Sequence, residues 1–561
     1  MRRRRYSTAA ADTGHVPWPE EFAARYRGEG YWRNETLGGI LHAPLLSRGQ
    51  GTALVAGRET MSYEELDRTA ERLACGLHRI GIGKGDRVVV HLPNIPEFVV
   101  LILALFRIGA WPVPALPSHR ESEIRGLCEH SEAIAYVGPA IHAGTDYRPL
   151  ARSVHSAVST VRHILLAGDP AEFTTLADLR RADATPLDCP PPVPGDVAML
   201  LLSGGTSGPP KLIPRTHQDY AYNIRHSARL CAIDETDTYL AVLPAAHNFT
   251  LGCPGILGTL GAGGTVVLAA DAGPEEALDL VEREGVTVTA LVPPLVPLWI
   301  EANARRAPAA LSSLRLLQVG GARLFPENAR QVRPALRCRL QQVFGMAEGL
   351  ISLTRPDDPE EVVTQTQGRP MSPGDELRVV DDNDDDVTPG QTGHLLVRGP
   401  YTVRGYYRSP EHNLTAFTPD GFYRTGDLAR LTRTGHLVVE GRTKDVINRG
   451  GEKVPAEEVE GHLLAHPAVH DAALVGIPDD FLGERTCACV VPRCTPPTLT
   501  DLTAFLRDRG LAAYKLPDRL EVVPDLPRTG VGKTDKQALV LALTGKTGCR
   551  TPRTVPVPPQ P

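Results

Sequence analysis

The 561-residue chain lacks the sequence features of membrane-embedded proteins, of proteins with structural zinc sites and of nucleic-acid-binding proteins. No window approaches the roughly 18 consecutive apolar residues that a membrane-spanning helix needs, so no membrane partner is expected. Its ten cysteines contain no CxxC pair, which argues against the usual structural zinc motifs. A formal net charge of −6 offers no basic face to nucleic acid. The scattered cysteines indicate reduced thiols and a cytoplasmic location.

Neither end of the chain has the pattern of a folded element. Four arginines at positions 2–5 are not followed by an apolar stretch, so an export signal is not predicted. Residues 1–25 are expected to form a flexible N-terminal segment, and residues 546–561 a disordered, proline-rich tail. The 53 glycines and 50 prolines are otherwise dispersed, which indicates many turns rather than a fibrous repeat.

The length predicts at least two domains, because single hydrophobic cores stop growing at about 300 residues. Apolar residues recur at helical spacing from Tyr63 to Leu77, a buried strand is predicted from Arg87 to Leu92, and Glu97 to Leu105 returns to helix. Trp111 to Pro114 is predicted to be a proline-rich turn. Further buried strands are predicted at residues 197–202, 265–268, 286–288 and 316–319. This alternation is typical of an α/β architecture with a largely parallel sheet.

The pattern changes twice towards the C-terminus. Residues 377–397 read as short strands around an acidic turn at residues 381–386, which is predicted to be solvated. Cys487 and Cys489 alternate within an apolar run, which predicts another strand. We expect a large N-terminal domain of mixed sheets and helices at residues 26–440 and a small α+β domain at residues 441–545.

A glycine-rich loop directly follows the predicted strand at residues 197–202. Glycine lets a backbone approach an anion closely, and hydroxyl groups and a terminal lysine add donors and positive charge. The loop is not a Walker A motif, because Leu212 stands where serine or threonine should follow the lysine. Taken alone, the loop favours phosphate binding over the alternative, a flexible surface loop. The candidate phosphate-binding residues are Ser203, Gly204, Gly205, Thr206, Ser207, Gly208 and Lys211.

Four further motifs follow in order: Phe344 to Glu348, Tyr423 to Asp427, Gly441 to Lys453 and Pro527 to Lys533. Together with the glycine-rich loop, they resemble the core motifs of the adenylate-forming superfamily, which contains acyl-CoA synthetases, peptide-synthetase adenylation domains and luciferases. The resemblance covers residues 30–545 and implies an α/β fold, with a large adenylate-forming domain and a small, mobile α+β C-terminal domain.

The resemblance also implies roles for individual residues. It assigns the glycine-rich loop to the β- and γ-phosphates of ATP and Glu348 to Mg²⁺, a hard cation that takes carboxylate and phosphate oxygens. Lys533 would bridge the substrate carboxylate and the α-phosphate, and Lys444 would lie at the hinge of the mobile domain. The remaining nucleotide contacts would come from Asp427 and Arg442 on the ribose side and from Gly320, Gly321 and Ala322 along the adenine and substrate pocket. Ala347 departs from the family, which usually has threonine before the glutamate.

The segment from Ala246 to Pro254 indicates which branch of the family the chain resembles. Amino-acid-activating relatives have an aspartate where Asn248 stands, and a neutral amide cannot pair with an α-ammonium group. The amide can instead donate to or accept from a phenolic hydroxyl. The segment therefore resembles the ligases that activate 2,3-dihydroxybenzoate or salicylate for siderophores and nonribosomal peptides. Phe249 would stack on the aromatic ring, and His247 would flank the reacting carboxylate.

Cys253 bears on the substrate of this branch. Dihydroxybenzoate enzymes usually carry serine here, whereas a thiol is a weak donor and behaves largely as a small hydrophobe. A buried 3-hydroxyl would lose a partner at a cost of about 1–3 kcal/mol, which favours salicylate over 2,3-dihydroxybenzoate. Ile351, another expected pocket residue, is compatible with both acids. 3-Hydroxypicolinate and 3-hydroxyquinaldate also fit.

The expected reaction has two steps: formation of aryl-AMP and pyrophosphate, then transfer of the aryl group to a phosphopantetheine thiol. Since no carrier domain is recognised after Lys536, the acceptor is expected to be a separate aryl carrier protein or free coenzyme A. Two alternatives remain open. One is an aryl-CoA synthetase, and the other is a catalytically silent adenylate-binding protein.

Overall fold

A computed structural model describes residues 14–181, 190–203, 210–270, 273–307, 311–449, 452–479, 482–530 and 532–545. The chain forms two compact units. The first comprises Met1–Thr425, Ala429–Val439 and Gly530–Lys533, and the second comprises Gly426–Leu428, Glu440–Thr529 and Thr534–Pro561. In the described residues, no helix has the length and apolar character that crossing a membrane requires.

The helices in the described ranges are α1 (Glu20–Gly28), α2 (His42–Arg48), α3 (Tyr63–Arg79), α4 (Pro96–Ile108), α5 (Glu121–Ser131), α6 (Arg148–Ala157), α7 (Leu176–Arg180), α8 (His217–Leu230), α9 (Asn248–Gly252), α10 (Gly255–Gly261), α11 (Pro274–Glu284), α12 (Leu295–Ala304), α13 (Pro326–Leu336), α14 (Glu360–Gln365), α15 (Pro410–Ala416), α16 (Ala456–Leu464), α17 (Leu499–Asp508) and α18 (Lys536–Leu543).

The strands in these ranges are β1 (Thr52–Ala56), β2 (Glu59–Ser62), β3 (Arg87–Val90), β4 (Trp111–Pro114), β5 (Ala135–Pro139), β6 (Ile141–His142), β7 (Thr145–Asp146), β8 (His163–Ala167), β9 (Thr174–Thr175), β10 (Val197–Leu202), β11 (Leu212–Thr216), β12 (Thr238–Ala241), β13 (Thr265–Leu268), β14 (Val288–Leu291), β15 (Leu316–Gly320), β16 (Arg339–Gly345), β17 (Ile351–Leu353), β18 (Arg369–Pro370), β19 (Glu376–Val380), β20 (Gly393–Arg398), β21 (Tyr423–Leu431), β22 (Leu437–Arg442), β23 (Val446–Arg449), β24 (Glu452–Pro455), β25 (Val469–Asp479), β26 (Gly483–Pro492) and β27 (Arg519–Val522).

A nine-stranded sheet organises the first unit, in the order β18-β17-β16-β15-β14-β12-β13-β1-β2. Its central strands pair in parallel, while β2 pairs antiparallel at one end, and at the other β17 pairs antiparallel with both β16 and β18. A second, parallel sheet has the order β4-β3-β5-β8-β9, and β19 to β22 form a four-stranded sheet. In the second unit, β24-β23-β26-β25 form a sheet on which β27 pairs with β26. The expected α/β architecture is confirmed.

Several predicted elements are confirmed and others are wrong. The helix predicted from Tyr63 is α3, which begins with a capping box between Ser62 and Glu65. The predicted turn at residues 111–114 is instead the edge strand β4, where prolines are tolerated because the unpaired side needs no N–H donor. The strand at residues 197–202 is confirmed as β10, but it pairs antiparallel with β11 rather than joining a parallel sheet.

The N-terminal segment was expected to be flexible as far as residue 25, and the described part of it, residues 14–25, contradicts this. Residues 20–25 belong to α1, and Trp18, Tyr26 and Trp32 are buried. The Trp32 ring centroid lies 5.4 Å from that of Trp18 and 5.2 Å from that of Tyr26, both edge-on. This aromatic cluster holds the segment in place, a contact that composition alone does not reveal. Residues 1–13 and the predicted tail at 546–561 lie outside the described residues.

Gly368 is a position where we expect a single methyl group to destabilise the first unit. Its φ is +72°, and an added Cβ would lie 2.0 Å from the carbonyl carbon of Leu353. Gly57 has a similar φ of +61° but open space around it. Gly57→Ala should cost about 1 kcal/mol of unfolding free energy from backbone strain. Gly368→Ala should cost a further 1–3 kcal/mol or so from the clash.

Urea denaturation of the two variants measures the difference. If both variants lost the same unfolding free energy, the backbone around Leu353 could move to accommodate the methyl group. The close approach of Leu353 to residue 368 would then not require glycine.

Candidate active site

The site lies where parallel strands of the nine-stranded sheet end. The chain leaves β12 and reaches His247 at the start of α9, Gly320 ends β15, and Glu348 follows the end of β16. Because β12, β14, β15 and β16 are parallel neighbours, their carboxyl ends meet at one edge of the sheet. Ligands of open α/β sheets bind at such edges.

His247 caps α9 and is held in its neutral form. Its Nδ1 accepts a hydrogen bond from the N–H of Phe249 at 3.3 Å. Burial, together with the nearby charge of Lys533, lowers its pKa to about 4. Since Nδ1 is an acceptor, the neutral ring carries its proton on Nε2. His247 is therefore a helix cap as well as a neutral donor at the strand ends.

Phe249 and Gly320 form one wall. An added Cβ on Gly320 would lie 3.1 Å from Cζ of Phe249 and 2.7 Å from the carbonyl oxygen of Val343. The phenyl ring therefore lies directly against a position that only glycine can fill without displacement. Two of the residues predicted to line the substrate pocket are therefore in contact.

Lys533 and Gly321 meet at the same edge. An added Cβ on Gly321 would lie 3.6 Å from Cε of Lys533 and 3.4 Å from a methyl group of Val292, which follows β14. Gly321 has a φ of +87°, which favours glycine in any case. Ala322, the next expected pocket residue, is exposed.

Asn248 is half-buried, and its Oδ1 accepts a hydrogen bond from the Tyr220 hydroxyl at 2.7 Å. Cys253 and Ile351 are buried at 4% and 2% exposure. Burial raises the pKa of the Cys253 thiol, so the group stays protonated. Gly345 ends β16, and an added Cβ on it would lie 3.5 Å from Cγ1 of Ile351.

Glu348 and Lys211 meet at Tyr406, a residue that the sequence motifs do not include. The Tyr406 hydroxyl donates to Oε1 of the buried Glu348 at 2.8 Å. The Lys211 ammonium lies 5.6 Å from the Tyr406 ring centroid, at cation–π distance. The Tyr406 and Tyr423 hydroxyls are 2.9 Å apart. The expected phosphate-binding lysine and the expected metal ligand are thus neighbours.

The glycine-rich loop is closed at its base by two hydrogen bonds. The Ser203 N–H donates to the Lys211 carbonyl at 2.9 Å, and the Lys211 N–H donates to Ser203 Oγ at 3.0 Å. The loop therefore connects the antiparallel strands β10 and β11. Its expected phosphate ligands Gly204, Gly205, Thr206, Ser207 and Gly208 lie outside the described residues.

The second unit contains the other expected nucleotide contacts. Asp427 on β21 is 2% exposed, and the guanidinium Nε of Arg442 on β22 lies 2.9 Å from its Oδ1. Adjacent strands thus place an acceptor carboxylate beside a cation. Lys444, the expected hinge residue, lies in the short 3₁₀ turn Thr443–Asp445 directly after β22.

Glu348 fits a metal that takes one carboxylate from the protein. Within the described ranges, no group of three or more His, Cys, Asp or Glu side chains is arranged to hold a metal ion. Oε1 of Glu348 accepts a hydrogen bond from the Tyr406 hydroxyl, and no hydrogen bond to Oε2 occurs among the residues that the structure describes. One free carboxylate oxygen suits Mg²⁺, which takes one or two carboxylates and completes its shell with phosphates and water.

Comparison with known proteins gives consistent results over nearly the whole chain. A family model described as AMP-binding enzyme matches residues 46–407, and one described as AMP-binding enzyme C-terminal domain matches residues 458–533. The chain is 56% identical to the 2,3-dihydroxybenzoate-AMP ligase of Bacillus subtilis, over 95% of this chain and 98% of that protein. It is 49% identical to a salicyl-AMP ligase / salicyl-S-ArCP synthetase of Mycobacterium tuberculosis, over 95% of each chain.

A solved structure has the same fold. The apo structure of MbtA from Mycobacterium smegmatis is 48% identical, matches 95% of this chain and 99% of its own, and superimposes with a TM-score of 0.75.

The lowered pKa of His247 predicts a pH dependence of stability. An unfolded histidine binds a proton below about pH 6.5, whereas folded His247 binds one only below about pH 4. Between these values the unfolded state holds more protons, so the free energy of unfolding falls as the pH is lowered through this window. His247→Gln should reduce the slope of unfolding free energy against pH in this window. The reduction should be at most about 1.4 kcal/mol per pH unit, which is the slope that a difference of one bound proton produces.

Urea denaturation at pH 6.5, 5.5 and 4.5 measures the slopes. The exposed His42 on α2 supplies the control variant His42→Gln, which should leave the slope unchanged. If His247→Gln behaved like this control, His247 would not be held neutral in the folded protein.

Proposed function

This chain belongs to the AMP-binding enzyme family, and we propose that it uses ATP to convert a hydroxylated aromatic carboxylic acid into an aryl-AMP and pyrophosphate. The main support lies at the strand ends, where Phe249 lies against Gly320 and Lys533 lies beside the adjacent Gly321. Asn248 precedes Phe249 at the start of α9. A flat wall, an amide and a cation together suit a planar acid whose carboxylate faces the lysine. Relatives named for 2,3-dihydroxybenzoate and salicylate support the same class of substrate.

In the proposed reaction, the carboxylate attacks the α-phosphorus of ATP and pyrophosphate leaves. Lys533 offsets negative charge between the carboxylate and the α-phosphate as the transition state forms. Neutral His247 orients the carboxylate as a hydrogen-bond donor, without adding a second cation beside Lys533. Lys211 and the rest of the glycine-rich loop hold the β- and γ-phosphates. Asp427 accepts from the ribose hydroxyls, supported by Arg442.

Mg²⁺ is the proposed metal, with Glu348 as its protein ligand. When bound, it neutralises charge on the phosphates and on the departing pyrophosphate. Tyr406 fixes the Glu348 carboxylate through Oε1 and so keeps Oε2 aimed in one direction. The backbone of Gly320, Gly321 and Ala322 completes the nucleotide side of the pocket.

The favoured substrate is salicylate, followed by 2,3-dihydroxybenzoate and by 3-hydroxypicolinate or 3-hydroxyquinaldate. Asn248 contacts the ring hydroxyl that is ortho to the carboxylate. Cys253 and Ile351 are both buried and apolar in character, so they offer a second ring hydroxyl no strong partner. A buried hydroxyl without a partner costs about 1–3 kcal/mol.

In the proposed second half-reaction, a phosphopantetheine thiol attacks the aryl-AMP carbonyl, a thioester forms and AMP leaves. The acceptor is a separate aryl carrier protein in siderophore or nonribosomal peptide biosynthesis, which agrees with the salicyl-S-ArCP synthetase named among the relatives. Lys444 is the hinge about which the C-terminal domain withdraws Lys533 before the thiol enters. Coenzyme A is the alternative acceptor, and thioester formation with each acceptor distinguishes them.

We expect Lys533→Ala to separate the two half-reactions. Loss of the cation should lower substrate-dependent pyrophosphate exchange by about 100-fold or more. Thiol transfer from supplied aryl-AMP should remain within a fewfold of wild type, because that step does not form a bond to phosphorus. Lys515→Ala is the matched control, since this lysine pairs with Glu458 at 2.6 Å in the second unit.

Exchange and single-turnover transfer should both be near wild type in the Lys515 control. Equal loss of both steps in Lys533→Ala would contradict the assignment. Absence of exchange in the wild-type protein would instead support a catalytically silent adenylate-binding protein.

Replacement of Cys253 tests the substrate preference. Cys253→Ser adds a hydroxyl that can satisfy the 3-hydroxyl of 2,3-dihydroxybenzoate. The ratio of kcat/KM for this acid to that for salicylate should rise about 10- to 100-fold. Cys128→Ser is the control, because Cys128 is also buried but lies in the hydrophobic core that packs on the five-stranded parallel sheet. This variant should leave the ratio unchanged. An unchanged ratio in Cys253→Ser would show that this position does not contact the ring.

A further inference from the structure

Tyr220 on α8 forms a hydrogen bond with the side-chain amide of Asn248. The Tyr220 side chain is completely buried, and its hydroxyl donates to Asn248 Oδ1 at 2.7 Å. Burial raises the pKa of the phenol, so the group keeps its proton and needs an acceptor. The amide oxygen supplies that acceptor. Across the described residues, no hydrogen bond engages Nδ2 of Asn248, and the side chain retains partial exposure.

Two contacts hold the Tyr220 ring in this position. The Arg215 guanidinium lies 4.8 Å from the ring centroid, and its Nε lies 2.7 Å from Oδ1 of Asp219 in a pair with no exposed surface. At the hydroxyl end of the ring, an added Cβ on Gly252 would lie only 2.2 Å from the Tyr220 oxygen. The hydroxyl therefore reaches Asn248 through a gap that exists because residue 252 is glycine.

We propose that Tyr220 is a positioning residue that makes Asn248 present only its amide N–H groups to the substrate. The pocket then selects aromatic acids whose ortho substituent accepts a hydrogen bond, as a phenolic oxygen does, and disfavours an ortho-amino group. This inference rests on the proposed function, since it concerns the same pocket.

The chemistry of the two substituents explains the selection. A phenolic oxygen has lone pairs for the Asn248 N–H, while its own proton bonds to the neighbouring carboxylate. An aniline nitrogen donates through both hydrogens, and its lone pair is delocalised into the ring. Anthranilate would therefore place N–H against N–H. Loss of one buried hydrogen bond corresponds to about a tenfold preference or more.

Pyrophosphate exchange with salicylate, anthranilate and benzoate tests the proposal. Benzoate has no ortho substituent and serves as the internal reference. In the wild-type protein, kcat/KM for salicylate should exceed that for anthranilate at least about tenfold. In Tyr220→Phe, Asn248 loses its fixed donor and its amide can turn. The salicylate-to-anthranilate ratio should then fall about tenfold, with benzoate activity within about twofold of wild type.

Tyr222→Phe is the matched control. Tyr222 lies on the same helix, is also buried, and donates to Ser372 at 2.6 Å instead of to Asn248. It should leave all three ratios unchanged. A loss of all three activities in proportion would be the mark of a merely structural role for Tyr220 and would overturn the proposal, as would an unchanged ratio in Tyr220→Phe.

The exchange rates of the wild-type protein with the three acids test the proposal even if Tyr220→Phe does not fold. Equal use of anthranilate and salicylate would overturn the proposal while leaving aryl-acid activation intact. A wild-type protein that activates none of the three acids would contradict the proposed function itself.

Discussion

The shared carboxyl edge of the parallel strands is the constraint on which the site depends. Strands β12, β14, β15 and β16 pair in parallel, so the segments that follow them emerge side by side. Two of these strands end in glycine, at Gly320 and Gly345, and the missing side chains leave room above the sheet. Phe249 occupies part of that room against Gly320. Sheet topology thus sets the positions, and glycine sets the space.

The parts of the fold that could be predicted are those in which local pattern and global packing agree. Helix α3 has both a capping box and an apolar stripe, and six of its eight buried positions recur at the helical spacing of that stripe: Tyr63, Leu66, Ala70, Leu73, Ala74 and Leu77. Strand β4 could not be predicted in this way, because two prolines in four residues oppose a strand locally and an edge position makes them harmless. Helix α1 likewise depends on aromatic contacts made by distant residues.

The same distinction applies to the site. Glu348, Lys211, Asn248 and Lys533 are recognisable because they occur in motifs, whereas Tyr406 and Tyr220 act on motif residues from 58 and 28 positions away. Spacing in sequence carries no signal for such contacts. A weak signal for Tyr220 exists in Gly252, the last residue of α9, where an added Cβ would clash with the Tyr220 oxygen. A glycine in a short helix can therefore mark a place where a side chain distant in sequence packs against the helix backbone.

The buried pair of Arg215 and Asp219 joins the two halves of the pocket. Burying both charges is costly, and one pair of opposite charges rarely offsets that cost without further hydrogen bonds. Here Asp219 also accepts from the backbone and hydroxyl of Thr216, and Arg215 donates to the carbonyl of Ala347 at 2.9 Å. Arg215 thereby touches the residue before Glu348 and the ring of Tyr220 at once. Because movement of either partner would leave an uncompensated buried charge, the pair restrains Ala347, which precedes the proposed metal ligand, relative to Tyr220, which bonds the amide proposed to contact the substrate. That rigidity accounts for retaining charged groups where apolar ones would be less costly to bury.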